Sequence, residues 1–166
     1  MTNPRREAIV NASPLIYLDK INKLELLGKI YGKVWVTTAV LKEVSSGKGG
    51  ETLRSRIHGF RWIKIVKVAV IPPELMEWDL GEGETSIIAW ARKHPGPMLV
   101  LDDRAAYSCA SLYGLKVTGT LGVLLAAKDM GLLKEIKSSL MDLKASGCWL
   151  SAGIVKTALE LAGEDD

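Results

Sequence analysis

Apolar positions along the chain fall into two patterns. Short uninterrupted or alternating runs occur at residues 8–10, 34–36, 62–70, 98–101 and 116–118. Between them, apolar residues recur every three or four positions, the spacing of a helix with one buried face. The runs predict five strands. The run at 62–70 alternates through Ile63, Ile65, Val66 and Val68, which predicts an edge strand. The run at 98–101 follows a Pro-Gly-Pro turn and has no polar interruption, which predicts an inner strand buried on both faces.

The helical stretches carry their own punctuation. Ser13-Pro14 predicts a helix start with Ser as cap, and Leu15, Ile16, Leu18 and Ile21 form its apolar face. A second short helix over 24–31 stops at Gly32. Thr37 or Thr38 caps the next helix, which turns Val40, Leu41 and Val44 inward and carries Glu43. Ser45 to Gly50 reads as a mobile loop, 52–58 as a weak helix and 75–80 as a connector. Further helices are predicted over 85–92, 105–112, 120–131, 133–145 and 151–162. Residues 2–7 read as a frayed polar start, and 164–166 as a loose acidic tail.

Strands separated by helices predict a mainly parallel sheet of about five strands with helices on both sides. Right-handed crossovers then bring every strand's carboxyl end to one edge, where chemistry gathers in such sheets. That edge should hold Asn11, the start of the helix carrying Glu43, and Asp102 with Asp103. A chain of 166 residues predicts one domain over 8–162, with the helices at 133–162 packed on it.

Composition narrows the setting. The formal charge of +3 permits a polyanionic partner without requiring one. No apolar run approaches the ~18 residues of a membrane span, and no signal peptide is expected. Cys109 and Cys148 lie in apolar, helix-like surroundings, which fits small core residues in a reducing compartment. The expectation is a soluble cytoplasmic protein.

The candidate chemistry is acidic. Several carboxylates close together repel unless a cation lies between them. Oxygen ligands point to Mg²⁺ or Mn²⁺, and His58 and His94 are not placed as a zinc pair. Glu82 and Glu84 are two apart, so they do not share a helix face. Acids at a helix start are also ordinary, because the dipole favours them. Gly119-Thr120-Leu121-Gly122 can hold a phosphate at a helix start, although close strand-to-helix packing explains it equally.

Four stretches in order carry a resemblance. Asn11-Ala12-Ser13-Pro14-Leu15-Ile16 resembles the opening motif of PIN domains, with Asn where an Asp usually stands. Glu43 resembles their second acid, and the helix start Glu84 to Ala91 resembles their acid-x-x-Ile-x-Ala-x-Ala pattern. Asp102 stands at a strand end where the family keeps its last acid. The series is most similar to prokaryotic PIN-like relatives of the ribonucleases of toxin–antitoxin pairs. It implies a three-layer α/β/α sandwich and a Mg²⁺- or Mn²⁺-dependent ribonuclease, often a homodimer, with RNA as substrate and an antitoxin as possible protein partner. On that resemblance Glu84 and Asp102 hold the metal, Asp103 and Glu82 ligate it directly or through water, and Glu43 orients the attacking water. Ser13 and Thr120 support the site. Asn11 removes one negative charge, which leaves open a weakened or silent module that binds RNA or protein. A third reading is a small α/β protein that takes a phosphorylated ligand at the Gly119 turn.

Overall fold

The computed structural model describes residues 6–165; the polar start at 2–5 and Asp166 lie outside the described residues. In chain order the strands are β1 (Glu7–Val10), β2 (Lys33–Thr37), β3 (Ile63–Val66), β4 (Met98–Val100) and β5 (Val117–Thr118). The helices are α1 (Ala12–Lys20), α2 (Leu26–Tyr31), α3 (Thr38–Ser46), α4 (Gly50–Gly59), α5 (Pro73–Met76), α6 (Glu82–Lys93), α7 (Arg104–Leu112), α8 (Thr120–Asp129), α9 (Lys137–Ala145) and α10 (Ala152–Leu161).

Among the described residues the strands form one parallel sheet in the order β3-β2-β1-β4-β5. β1 lies at its centre. Ile9 faces Trp35 on one neighbour and Leu99 on the other. Ala8, Ile9, Val10, Leu99 and Val100 are fully buried. Burying a side chain the size of Ile9 or Leu99 stabilises the fold by about 1.5–3 kcal/mol, so an unbroken apolar run has no better place than an inner strand. β3 stands at an edge, as its alternation predicts.

Alternation in the chain and parallel pairing in space together put the carboxyl ends of β1, β2 and β4 on one side. The amino ends of α1, α3 and α7, which follow those strands directly, begin there. The Asn11 amide extends the pairing by donating to Val100 O at 2.9 Å. Among the described residues no helix is long and apolar enough to cross a membrane.

Three local expectations are corrected. Asn11, not Ser13, takes the cap position of α1, and its side chain makes no cap bond. Pro14 is tolerated because the first turn's N–H groups have no intrahelical partner. The expected mobile loop at 45–50 is a turn between α3 and α4, closed by Gly50 N donating to Gly47 O at 3.0 Å. Gly50 lies against the Val44 and Ser45 carbonyls, where a Cβ would collide with backbone. The tail is not loose at Glu164. Its carboxylate accepts from Ile136 N at 2.9 Å and Lys137 N at 3.1 Å, and pairs with Lys128 Nζ at 2.9 Å. This caps α9 together with Glu135, which accepts from Ser138 N at 2.9 Å, since Ile136 at the cap position has no acceptor side chain.

Candidate active site

Asp102 leaves the sheet one residue after Leu101, whose amide donates to Thr118 O at 2.9 Å. That register sets Asp102 beside Gly119-Thr120. Thr120 N donates to Asp102 Oδ1 at 2.8 Å and Thr120 Oγ1 donates to Oδ2 at 2.6 Å. The carboxylate therefore occupies the amino end of α8. A Cβ on Gly119 would stand 2.6 Å from Asp102 Oδ1, so glycine is what lets the acid reach the backbone. A carboxylate already accepts from the Thr120 amide and hydroxyl at this turn, and its charge opposes a phosphate there.

The Gly-Glu-Gly-Glu stretch has a related logic. Glu43, on α3, accepts from Gly83 N at 2.9 Å and so caps α6 from another helix. A Cβ on Gly83 would lie 2.8 Å from Glu43 Oε1. A Cβ on Gly81 would lie 2.5 Å from Glu84 Oε2 and 3.9 Å from Glu43 Oε1. The two glycines leave room for two carboxylates at one helix end, and the dipole favours each by ~0.3–1 kcal/mol.

Asn11 reaches across from β1. Its Nδ2 donates to Glu84 Oε1 at 3.2 Å. Its Oδ1 is buried and has no hydrogen-bond partner. A buried, unpaired carbonyl oxygen is costly, and this one lies on the amide that touches Glu84.

Glu84, Asp102, Asp103, Ser13 and Thr120 line a single cavity of about 430 Å³, closed on its other side by Tyr17, Leu121, Leu143, Cys148, Trp149, Leu150 and Ile154. Asp103 lines it while its Oδ1 caps α7, accepting from Ala106 N at 2.8 Å. Glu43 is not part of the lining, and Glu82 is exposed on the outer side of α6. Burial pushes the Cys148 thiol above its ordinary pKa, and the Asp102 charge pushes it further while Lys20 opposes them.

Two contributors are not assigned to the site by the sequence, although Thr37 is already expected there as a helix cap. Thr37 Oγ1 and Ser86 Oγ meet at 2.7 Å, both buried. Thr37 also caps α3 by accepting from Val40 N at 3.1 Å, and Ser86 Oγ donates to Gly83 O at 2.7 Å. This chain ties the start of α3 to the start of α6 and so sets Glu43 against Gly83. A Thr at a strand end before a helix is the only sequence signal for it. The other is Trp149, which is 81% exposed at the cavity wall.

The donor chemistry suits a hard divalent cation: carboxylates and hydroxyls, with no imidazole on the cavity wall. Among the described residues no group of three or more His, Cys, Asp or Glu side chains is already drawn together as a metal cluster. Glu84 and Asp102 are the pair that shares the cavity without serving as a helix-cap residue of its own element.

A family profile described as a PIN domain matches residues 7–164. No curated protein matches the chain.

Proposed function

Since this chain belongs to the PIN-domain family, whose members are typically nucleases, we propose that it is a Mg²⁺- or Mn²⁺-dependent ribonuclease. The observation that carries the reading is that Glu84 and Asp102, from separate elements, line one cavity at the carboxyl edge of the sheet. Each belongs to a helix amino end whose dipole favours negative charge. In this reading those two residues hold the cation, with Asp103 acting through water, while Glu82, exposed and off the cavity wall, takes no part.

A cation held there would lower the pKa of a bound water and neutralise charge developing on the phosphodiester. The chain's own groups do the positioning. Thr120 fixes both oxygens of Asp102. Asn11 donates to one oxygen of Glu84 and leaves the other free. Glu43 braces the first turn of α6 by accepting from Gly83 N, and acts on the attacking water through the position it gives Glu84. Ser13 steadies the cavity wall by hydrogen bonding. The reading treats residues 8–162 as one domain, which a single cluster of buried apolar residues from Ala8 to Ala158 supports. It places the protein in the cytoplasm, as a homodimer acting on RNA. An antitoxin is the protein partner if this is a toxin.

One observation favours a second reading, a module that binds RNA or protein without cutting. Asn11 supplies no charge, and it leaves Glu84 with one fewer carboxylate to share a cation. The test that separates them is cleavage of mixed RNA with Mn²⁺, Mg²⁺ or EDTA, beside Asp102→Asn. Cutting that needs a divalent ion and is lost in the variant supports the nuclease. Cutting that survives both EDTA and the substitution eliminates it.

A further inference from the structure

Of the five tryptophans, four are spoken for. Trp35 and Trp90 lie 5.1 Å apart between rings, and Trp35 Nε1 donates to Glu7 at 2.8 Å. Trp62 stacks on Phe60 at 4.8 Å and fills the space where Gly28 has no side chain. Trp78 packs against the core. Trp149 is different: it is 81% exposed and stands on the wall of the cavity that holds Glu84 and Asp102. A large aromatic left in water is a costly placement for packing alone.

The neighbourhood of Trp149 has one chemistry. Tyr17 shares the cavity wall, and the Lys20 ammonium stands 5.7 Å from the Tyr17 ring centroid. Lys20 also acts electrostatically on Cys148, the residue next to Trp149. Two aromatic rings therefore share a wall with the acids, and the Lys20 ammonium stands over the second ring. An unpaired base offers a free face to such a ring, and its phosphate a charge to the lysine. A base inside a duplex offers neither face, because both are already stacked. The cavity volume of about 430 Å³ falls in the range of small-ligand sites, roughly 300–1,000 Å³.

We propose that Trp149 is the stacking platform for a base of the RNA next to the carboxylates, with Tyr17 beside it and Lys20 taking the adjoining phosphate. This rests on the ribonuclease reading for its substrate class and adds to it the residue that receives a base. The apolar groove that continues over Leu121, Leu125, Ile154 and Leu161 offers a protein surface as the competing occupant.

The test is binding, read apart from cutting. A short fluorescein-labelled single-stranded RNA of mixed sequence is titrated in EDTA and in Ca²⁺, by anisotropy and by quenching of tryptophan emission. Wild type, Trp149→Ala, Trp149→Phe and Trp149→Leu are compared, with the matching duplex as control. Loss of one stacked base weakens binding by roughly five- to hundredfold. The expected result is that loss in the alanine variant, recovery with Phe but not Leu, and no change for the duplex. Lys20→Gln should reduce the salt dependence of strand binding. Wild-type affinity in Trp149→Ala, equal recovery with Leu, or a change of oligomeric state with unaltered RNA binding overturns the proposal. Failure of the nuclease reading looks different: strand binding that depends on Trp149 with no divalent-dependent cleavage sinks the activity and leaves the platform standing.

Discussion

Asn11 Nδ2 donates to Glu84 Oε1 at 3.2 Å, joining the end of the central strand to the first turn of α6. An amide at this position satisfies the carboxylate without a cation. Asn11→Asp replaces that bond with two acids facing one another. In EDTA the variant should be less stable by about 1–3 kcal/mol, the cost of an unsatisfied buried polar group. Mn²⁺ should then raise its melting temperature more than it raises that of wild type, and calorimetry should show tighter binding. Equal Mn²⁺ affinity in the two proteins would count against position 11 facing the cation.

Gly119→Ala tests the approach of Asp102 to α8. Gly119 has φ −118°, so an alanine meets no backbone strain there. Its Cβ would instead crowd Asp102 Oδ1, 2.6 Å away. The carboxylate must swing off Thr120, costing about 1–2 kcal/mol in urea unfolding and at least tenfold in Mn²⁺ affinity if one ligand is lost. Stability and affinity both at wild-type levels would show that Asp102 has room to spare.

Glu43 serves α6 as a cap from another helix, accepting from Gly83 N. Glu43→Gln keeps an acceptor oxygen and should unfold near wild type. Glu43→Ala removes it and should lose about 0.5–2 kcal/mol, the usual cost of a lost cap. If the glutamine variant is as unstable as the alanine variant, charge rather than the acceptor matters at this helix end.

The Glu164 clasp carries a pH dependence. Burial raises its pKa, but Lys128 and the Ile136 and Lys137 amides outweigh burial and bring it below the ordinary carboxylate value. A carboxyl depressed in the folded state stabilises above its unfolded pKa, and that contribution disappears as pH falls through the folded one. Wild type should therefore exceed Glu164→Gln in stability at neutral pH, by about 1 kcal/mol, and the gap should close on acidification below pH ~4. A gap that persists in acid would mean that the tail is held by packing instead. Chemical denaturation across pH measures it.

The sheet was legible because parallel inner strands are buried on both faces and so appear as continuous apolar runs. Ile9 and Leu99 are 0% exposed. The helix predicted over 85–92 is present and starts three residues earlier, at Glu82, but the role of Gly81 and Gly83 at its start was not legible. Their purpose, room for Glu43 and Glu84, depends on a helix far away in sequence, and no local pattern encodes it. The Asn11 cap was misassigned to Ser13 because Ser-Pro is a strong local start signal, while the register of β1 against β4 decides where the helix begins. Glu164 was read as a loose tail because its partners, Lys128 and the start of α9, meet it only after α8, α9 and α10 have packed. The exposure of Trp149 has no local signal for the same reason: it is a property of the packed helices, not of the residue type.

Glu84 and Asp102 serve one shared cation in the proposed site. Mn²⁺ binding, followed by electron paramagnetic resonance of the free ion, should be measured for wild type, Glu84→Gln, Asp102→Asn and the double variant. The account predicts a site that weakens at least tenfold in either single variant, with the double variant little worse than the weaker single, because both residues serve the same ion. Wild-type binding in both single variants, or additive losses that mark two independent ions, would contradict it.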